Sequence, residues 1–137
     1  MAGSGVILDT HALLWMDRDD PALGAQARTL IEAAWRSGRV AVSAISFWEV
    51  AMLAERGRVV LPEPVTQWRH GWLQAGLEEV PVDGGIALLA TQLHDLHRDP
   101  ADRFIIATAM HRHATLVTAD RLILDWPGGL PRQAADV

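Results

Sequence analysis

The sequence predicts an α/β fold: a central parallel sheet with helices on both faces. Three observations predict it. Short, wholly apolar runs alternate with segments of helical period, the pattern of strands buried on both sides. Two of these runs end at or just before an aspartate, Asp9 and Asp120, and open α/β sheets place their sites outside the carboxyl ends of strands. The length of 137 residues fits one domain, residues 1–137, large enough to bury an ordinary core without staples.

The elements follow in order. Val6, Ile7 and Leu8 form a buried strand ending at Asp9, and a helix begins over 11–16. Residues 21–37 read as a second helix, with Leu23, Ala27, Leu30, Ile31 and Ala34 at helical spacing and Gly38 as its stop. Residues 40–43 read as strand and 45–56 as helix, stopped by Gly57. Pro62 and Pro64 open another helix to about Gln74, weakened by Gly71. Residues 77–82 read as strand and 86–93 as helix. Asp99 and Pro100 start a helix to about His113; Leu116, Val117 and Thr118 make a strand before Asp120 and a short helical turn. From Pro127 the chain is rich in Pro and Gly and reads as peripheral, with a feeble strand signal over 124–130.

Composition removes several chemistries. There is no Cys, hence no disulfide, thiolate metal site or thiol nucleophile, which fits a cytoplasmic protein. All 12 basic residues are Arg, so no Schiff-base or P-loop lysine exists. No apolar run approaches the ~18 residues of a membrane span. The start, Met1 to Gly5, lacks the basic stretch of a signal peptide. A net charge of −5 argues against nucleic acid as a partner. Setting four candidate metal-binding acids aside, however, leaves 12 basic residues against 13 of the 17 acidic ones, and a bound cation reverses local charge.

Those four are Asp9, Glu49, Asp102 and Asp120. Glu49 falls within the stripe Ile45, Trp48, Met52 and Leu53, read as the core-facing side of its helix. Asp102 opens the stripe Ile105, Ile106, Ala109 and His113. A carboxylate on an inward face is costly without a partner. Gathered carboxylates repel one another unless a divalent ion neutralises them, and hard ions such as Mg²⁺ and Mn²⁺ take oxygen ligands. Such an ion, or two about 4 Å apart, activates water and steadies charge on a phosphoryl oxygen. Structural readings stand beside this one. Asp9, Asp99 and Asp120 each suit a helix N-cap, with Pro100 at N1 and Asp102 at N3. Glu49 would suit a buried ion pair to an Arg.

Four segments resemble the PIN domain family, most closely its VapC-type toxin ribonucleases. They are Ile7 to Trp15, Ser43 to Ala51, His97 to Ala107, and Thr115 to Asp120. They occur in family order across nearly the whole chain. The resemblance implies a three-layer α/β/α sandwich with a central parallel sheet. It implies a Mg²⁺- or Mn²⁺-dependent endoribonuclease, using one or two ions held by Asp9, Glu49, Asp102 and Asp120, and leaving 5′-phosphate and 3′-hydroxyl ends. Thr10 and Thr118 match supporting positions, and Asp99 matches an acid of metal, supporting or capping role. It further implies an RNA substrate, a homodimer or hetero-oligomer, and inhibition by a cognate antitoxin protein.

Other residues carry weaker readings. Among six His, only His94 and His97 share helical ligand spacing, which argues poorly for zinc without Cys or an HExxH pattern. His97 reads as packing beside Asp99, and His11 as core or support for the site. Trp15, Trp48 and Trp72 read as core; Trp68 and Trp126 as candidates for exposed partner contacts. Arg103 and Arg121 follow proposed ligands and read as RNA phosphate contacts or as surface ion pairs. Arg18, Arg98 and Arg112 are further candidates near the groove. Two other function classes remain: a receiver-like module, which wants a Lys this chain lacks, and a non-cleaving PIN-type module that binds RNA or a partner. A dehalogenase-type phosphatase would need an acid where His11 stands.

Overall fold

The computed structural model describes residues 5–137; the start of the chain, where no signal peptide is expected, lies mostly outside them. Five parallel strands form one sheet: β1 (Val6–Leu8), β2 (Val40–Ser43), β3 (Glu78–Val80), β4 (Thr115–Thr118) and β5 (Arg132–Ala134), in spatial order β3-β2-β1-β4-β5. The helices are α1 (Thr10–Asp17), α2 (Ala25–Arg36), α3 (Ala44–Glu55), α4 (Val65–Ala75), α5 (Gly84–Thr91), α6 (Pro100–His111) and α7 (Arg121–Leu124). None among the described residues is long and apolar enough to cross a membrane.

Side-chain alternation along the strands divides the core in two. Val6, Leu8, Val40, Val42 and Val117 face α1, α2 and α4. Ile7, Ala41 and Leu116 face the other way, onto α5 and α6. These are the outer layers of the α/β/α sandwich. Helix α3 contributes to both, Phe47 and Val50 to the first core and Ile45 to the second. The strand order turns at β1: from it the chain builds outward through β2 and β3, then returns to its other side with β4 and β5. The gap between the ends of β1 and β4 is therefore the switch point where a site is expected.

Three readings of the sequence need correction. The helix read over 21–37 begins only at Ala25, because Asp20 caps a turn through Ala22 N–H (2.9 Å) and Gly24 is the N-cap. The C-terminal segment is not peripheral. Residues 124–130 form no strand, but Arg132–Ala134 pairs with β4, and Leu130 and Ala135 are buried. A Cβ at Gly24 would lie within 2.6 Å of the backbone at 136–137, so only glycine admits this close approach. The tryptophans are also redistributed: Trp68 and Trp126 are buried, whereas Trp48 is 54% exposed.

Trp68 explains how α4 is seated. Its indole N–H donates to Asp17 Oδ1 at 2.9 Å, and that of Trp72 donates to the same oxygen at 3.0 Å. Both rings bury their apolar bodies while sharing one acceptor at the end of α1. Asp17→Ala should cost about 2 kcal/mol in urea unfolding, since it strands two indole donors, and Asp17→Asn should recover most of the loss. Equal stability of the alanine variant and the parent would dismiss this anchoring role.

Candidate active site

The site begins with Asp9, which follows β1 and is only 6% exposed. It caps α1: Oδ1 accepts from Thr10 N–H at 2.7 Å. Across the strand gap, Thr118 Oγ1 donates to Oδ2 at 2.6 Å and accepts from Asp120 N–H at 3.1 Å. Thr118, at the end of β4, thus links Asp9 to the backbone of Asp120. Asp120 in turn caps α7 through Leu122 N–H at 2.9 Å.

Glu49 enters from α3. Thr10 Oγ1 lies 2.5 Å from Glu49 Oε1 and 3.0 Å from Ser46 Oγ. A hydroxyl has one proton; with Thr10 donating to Glu49, the fully buried Ser46 supplies the other. The stripe that drew attention to Glu49 is wrong in detail. The buried side of α3 carries Ser46, Phe47 and Val50, and Glu49 stands half-buried at its edge.

Asp102 lies in the first turn of α6, whose N-cap is Asp99. Asp99 Oδ1 accepts from Ala101 and Asp102 N–H at 3.0 and 3.3 Å. Asp102 Oδ2 meets His97 Nε2 at 2.7 Å. His97 therefore sits against Asp102 rather than beside Asp99, a pairing its five-residue spacing across a helix start did not signal. Ser46 was missed too, its polarity disguising a buried position. His113, placed in the Asp102 stripe, is exposed beyond the helix.

Asp9, Thr10, Glu49, Asp99, Asp102 and Asp120 line one cleft of about 380 Å³, with His11 and Trp15 at its wall. His11 is exposed and is no core residue, whereas Trp15 is half-buried and packs against the first core. The carboxylate-rich lining, without thiolate and with strong internal repulsion, fits a hard divalent ion: Asp102 and Asp120 bring ligand atoms within 4.8 Å of each other and of His97, and Asp9 and Glu49 line the same cleft. Burial raises the pKa values of Asp9, Glu49 and Asp102, the last to about 7. Hydrogen bonds from Thr118, Thr10 and His97 oppose the rise, and neighbouring acids add to it.

The arginines behave differently from expectation. Arg103 does not present its head as a phosphate contact. Its Nε donates to His97 O (3.1 Å), Nη1 to Ala90 O (2.9 Å) and Leu93 O (3.1 Å), and Nη2 to Leu96 O (2.9 Å). It closes the loop between α5 and α6. Arg112 pairs with Glu78 at the far end of α6, and Arg18 approaches Asp20 at 3.9 Å. Arg121 and Arg98 are exposed.

With this geometry in view, comparison with known proteins is decisive for the family. Residues 6–125 match the PIN domain model. The chain belongs to the PIN domain family. It is 38% identical to ribonuclease VapC22 of Mycobacterium tuberculosis over 117 residues, which cover 85% of this chain and 87% of that protein. The PIN fold is shared with a DNA-bound VapBC from Salmonella typhimurium (TM-score 0.70, 21% identity, 94% of this chain and 96% of that one). It is shared likewise with a toxin–antitoxin complex from Klebsiella pneumoniae (TM-score 0.66, 18% identity, 96% and 98%).

Two predictions follow from the cleft and its loop. In metal-free protein, between 3.8 and about 7, folded Asp102 keeps a proton that the unfolded chain has released. Folding then takes up a proton, so its stabilisation is full below 3.8 and lost as pH rises through about 7. Asp9 and Glu49 act in the same direction. The melting temperature of EDTA-treated protein should fall from pH 5.5 to pH 8; a flat or rising profile would refute the burial argument. Separately, Arg103→Gln should lower stability by about 2–4 kcal/mol. A loss under about 0.5 kcal/mol in urea unfolding would mean that water satisfies the four carbonyls equally well.

Proposed function

We propose that this chain is a VapC-type toxin: a Mg²⁺- or Mn²⁺-dependent endoribonuclease, folded as one domain, acting in the cytoplasm and neutralised by a cognate antitoxin. The single observation that carries the proposal is the convergence of Asp9, Glu49, Asp102 and Asp120 on one cleft at the switch point of a PIN fold. The ribonuclease relative and the toxin–antitoxin neighbours support the biological setting.

The four acids would hold one or two ions. When bound, these supply an activated water and stabilise charge on the phosphoryl oxygens. The chain's own part is positional. Thr118 and Thr10 fix both oxygens of Asp9, and Thr10 also fixes Glu49. These carboxylates are thereby oriented before any ligand arrives, which lowers the reorganisation that binding would otherwise require. No side chain on the cleft is a nucleophile of the Cys or Lys type, consistent with direct hydrolysis by water. Arg121, exposed and next in sequence to Asp120, would be available to meet an RNA phosphate. The antitoxin and the oligomer belong to the same proposal.

Purified protein should cleave RNA in the presence of Mn²⁺, stop on addition of EDTA, and leave 5′-phosphate ends. Asp9→Asn and Glu49→Gln should each reduce cleavage to background and relieve growth arrest while the circular dichroism spectrum is kept. Undiminished cleavage by either folded variant would sink the assignment.

A further inference from the structure

Each of the four acids already has at least one oxygen engaged. Asp9 uses both, Glu49 uses Oε1, Asp120 uses Oδ1 and Asp102 uses Oδ2. For three of them the partner is a backbone N–H or a threonine hydroxyl. Asp102 alone is held by an imidazole, from the loop that Arg103 closes. Arg103 grips the carbonyl of His97 itself, so the ring is anchored through its backbone. Its Nδ1 is buried and has no hydrogen-bond partner among the described residues.

We propose that His97 is a positioning residue for the metal centre: its hydrogen bond from Nε2 to Asp102 Oδ2 disfavours two-oxygen chelation by Asp102, while each hydrogen-bonded oxygen, as in Asp9, keeps a lone pair for a single metal bond, and this biases the cleft toward small octahedral ions and against Ca²⁺. The inference rests on the divalent-ion reading above. Ca²⁺ takes six to eight oxygens and commonly draws two from one carboxylate, whereas Mg²⁺ and ions like it want about six at near-ideal octahedral angles. A carboxylate with one oxygen tied back suits the second demand and frustrates the first.

His97 also lies in a cluster with Asp102 and Asp120 in which one ligand atom from each is within 4.8 Å of the others, a spacing that would admit His97 as a ligand. The orphaned Nδ1 argues against that role. A ring bound to metal through Nε2 carries its proton on Nδ1 and normally donates it to an acceptor; here that N–H would be buried unpaired, at a cost. Donation from Nε2 to Asp102 leaves only a lone pair on Nδ1.

The test compares the parent protein with His97→Gln, whose amide can still donate, and His97→Leu, which cannot. Mn²⁺ binding is titrated by EPR, Ca²⁺ binding by calorimetry, and nitrogen coordination is read by electron spin-echo modulation of the Mn²⁺-loaded protein. The parent should bind Mn²⁺ without a directly coordinated nitrogen. His97→Leu should weaken Mn²⁺ binding at least roughly tenfold and shift the Mn²⁺:Ca²⁺ affinity ratio toward Ca²⁺, with His97→Gln restoring most of both. A coordinated-nitrogen signal in the parent would overturn the proposal by making His97 a ligand. So would a leucine variant that matches the parent in affinity and ratio. Should that variant fail to fold, the parent's nitrogen signal decides, together with a parent-like ratio in the glutamine variant as the expected result. A parent that binds no Mn²⁺ at all would instead remove the metal reading, and this inference with it.

Discussion

Asp9 is a carboxylate buried at the point where the strand order reverses, and much of the surrounding structure answers that one unfavourable placement. A charge so enclosed is unfavourable by several kcal/mol unless it is hydrogen-bonded or neutralised. Thr118 and the start of α1 provide hydrogen bonds from opposite sides. They do not provide positive charge. Burial still dominates and the pKa still rises, and the same imbalance recurs at Glu49 and Asp102. Three acids in one cleft, all held where ionisation is resisted, amount to a preformed demand for a cation.

Among the described residues no arginine pairs with a cleft acid, and several arginines are committed elsewhere. Arg103 ties four carbonyls of the loop before α6. Arg132 ties Ile123, Trp126, Gly128 and Leu130 carbonyls of the C-terminal segment and stacks its guanidinium against Trp126. Arg28 reaches the Leu23 and Asp20 carbonyls. The planar fork of guanidinium can serve several carbonyls at once, which an ammonium group does less well. In a chain without Lys, irregular loops are stapled by these heads, and the cleft keeps its uncompensated negative charge.

The layer architecture was legible because buried parallel strands and amphipathic helices leave strong periodic signals. The alternation Val6, Ile7, Leu8 even reports which core each residue enters. Other features were hidden for physical reasons. The stripe through Trp48 looked like a core face because periodicity counts Ser46 as polar, whereas a small hydroxyl with a local partner is easily buried. Trp68 and Trp126 resembled exposed anchors because sequence does not reveal whether an indole N–H has an acceptor nearby; Asp17 is 51 residues from Trp68, and the His94 carbonyl is 32 from Trp126. The roles of His97 and Arg103 depend on the course of one loop. Strand β5 carries only three half-buried residues, too few for a pattern, and it exists because β4 offers an open edge.

Each aspartate admitted two readings, as helix cap or as site residue, and the geometry dissolves the choice. Asp9, Asp99 and Asp120 cap α1, α6 and α7, and all three line the cleft. Capping is what brings them there. For Asp9 and Asp120, a helix that starts just after a parallel strand points its N-terminus over the sheet's carboxyl end, and the unpaired N–H groups there favour an acid; Asp99 reaches the same cleft from the loop that joins α5 to α6. The cap uses one oxygen and fixes the carboxylate's orientation; in Asp120 the other oxygen is left over. The N-terminal dipoles of α1 and α6 soften the repulsion among the acids without neutralising any of them. A lysine in the cleft would neutralise them, and this chain has no lysine. The fold thus stabilises a cluster of negative charge just enough to keep it assembled, and leaves the remainder of that charge for a ligand to balance.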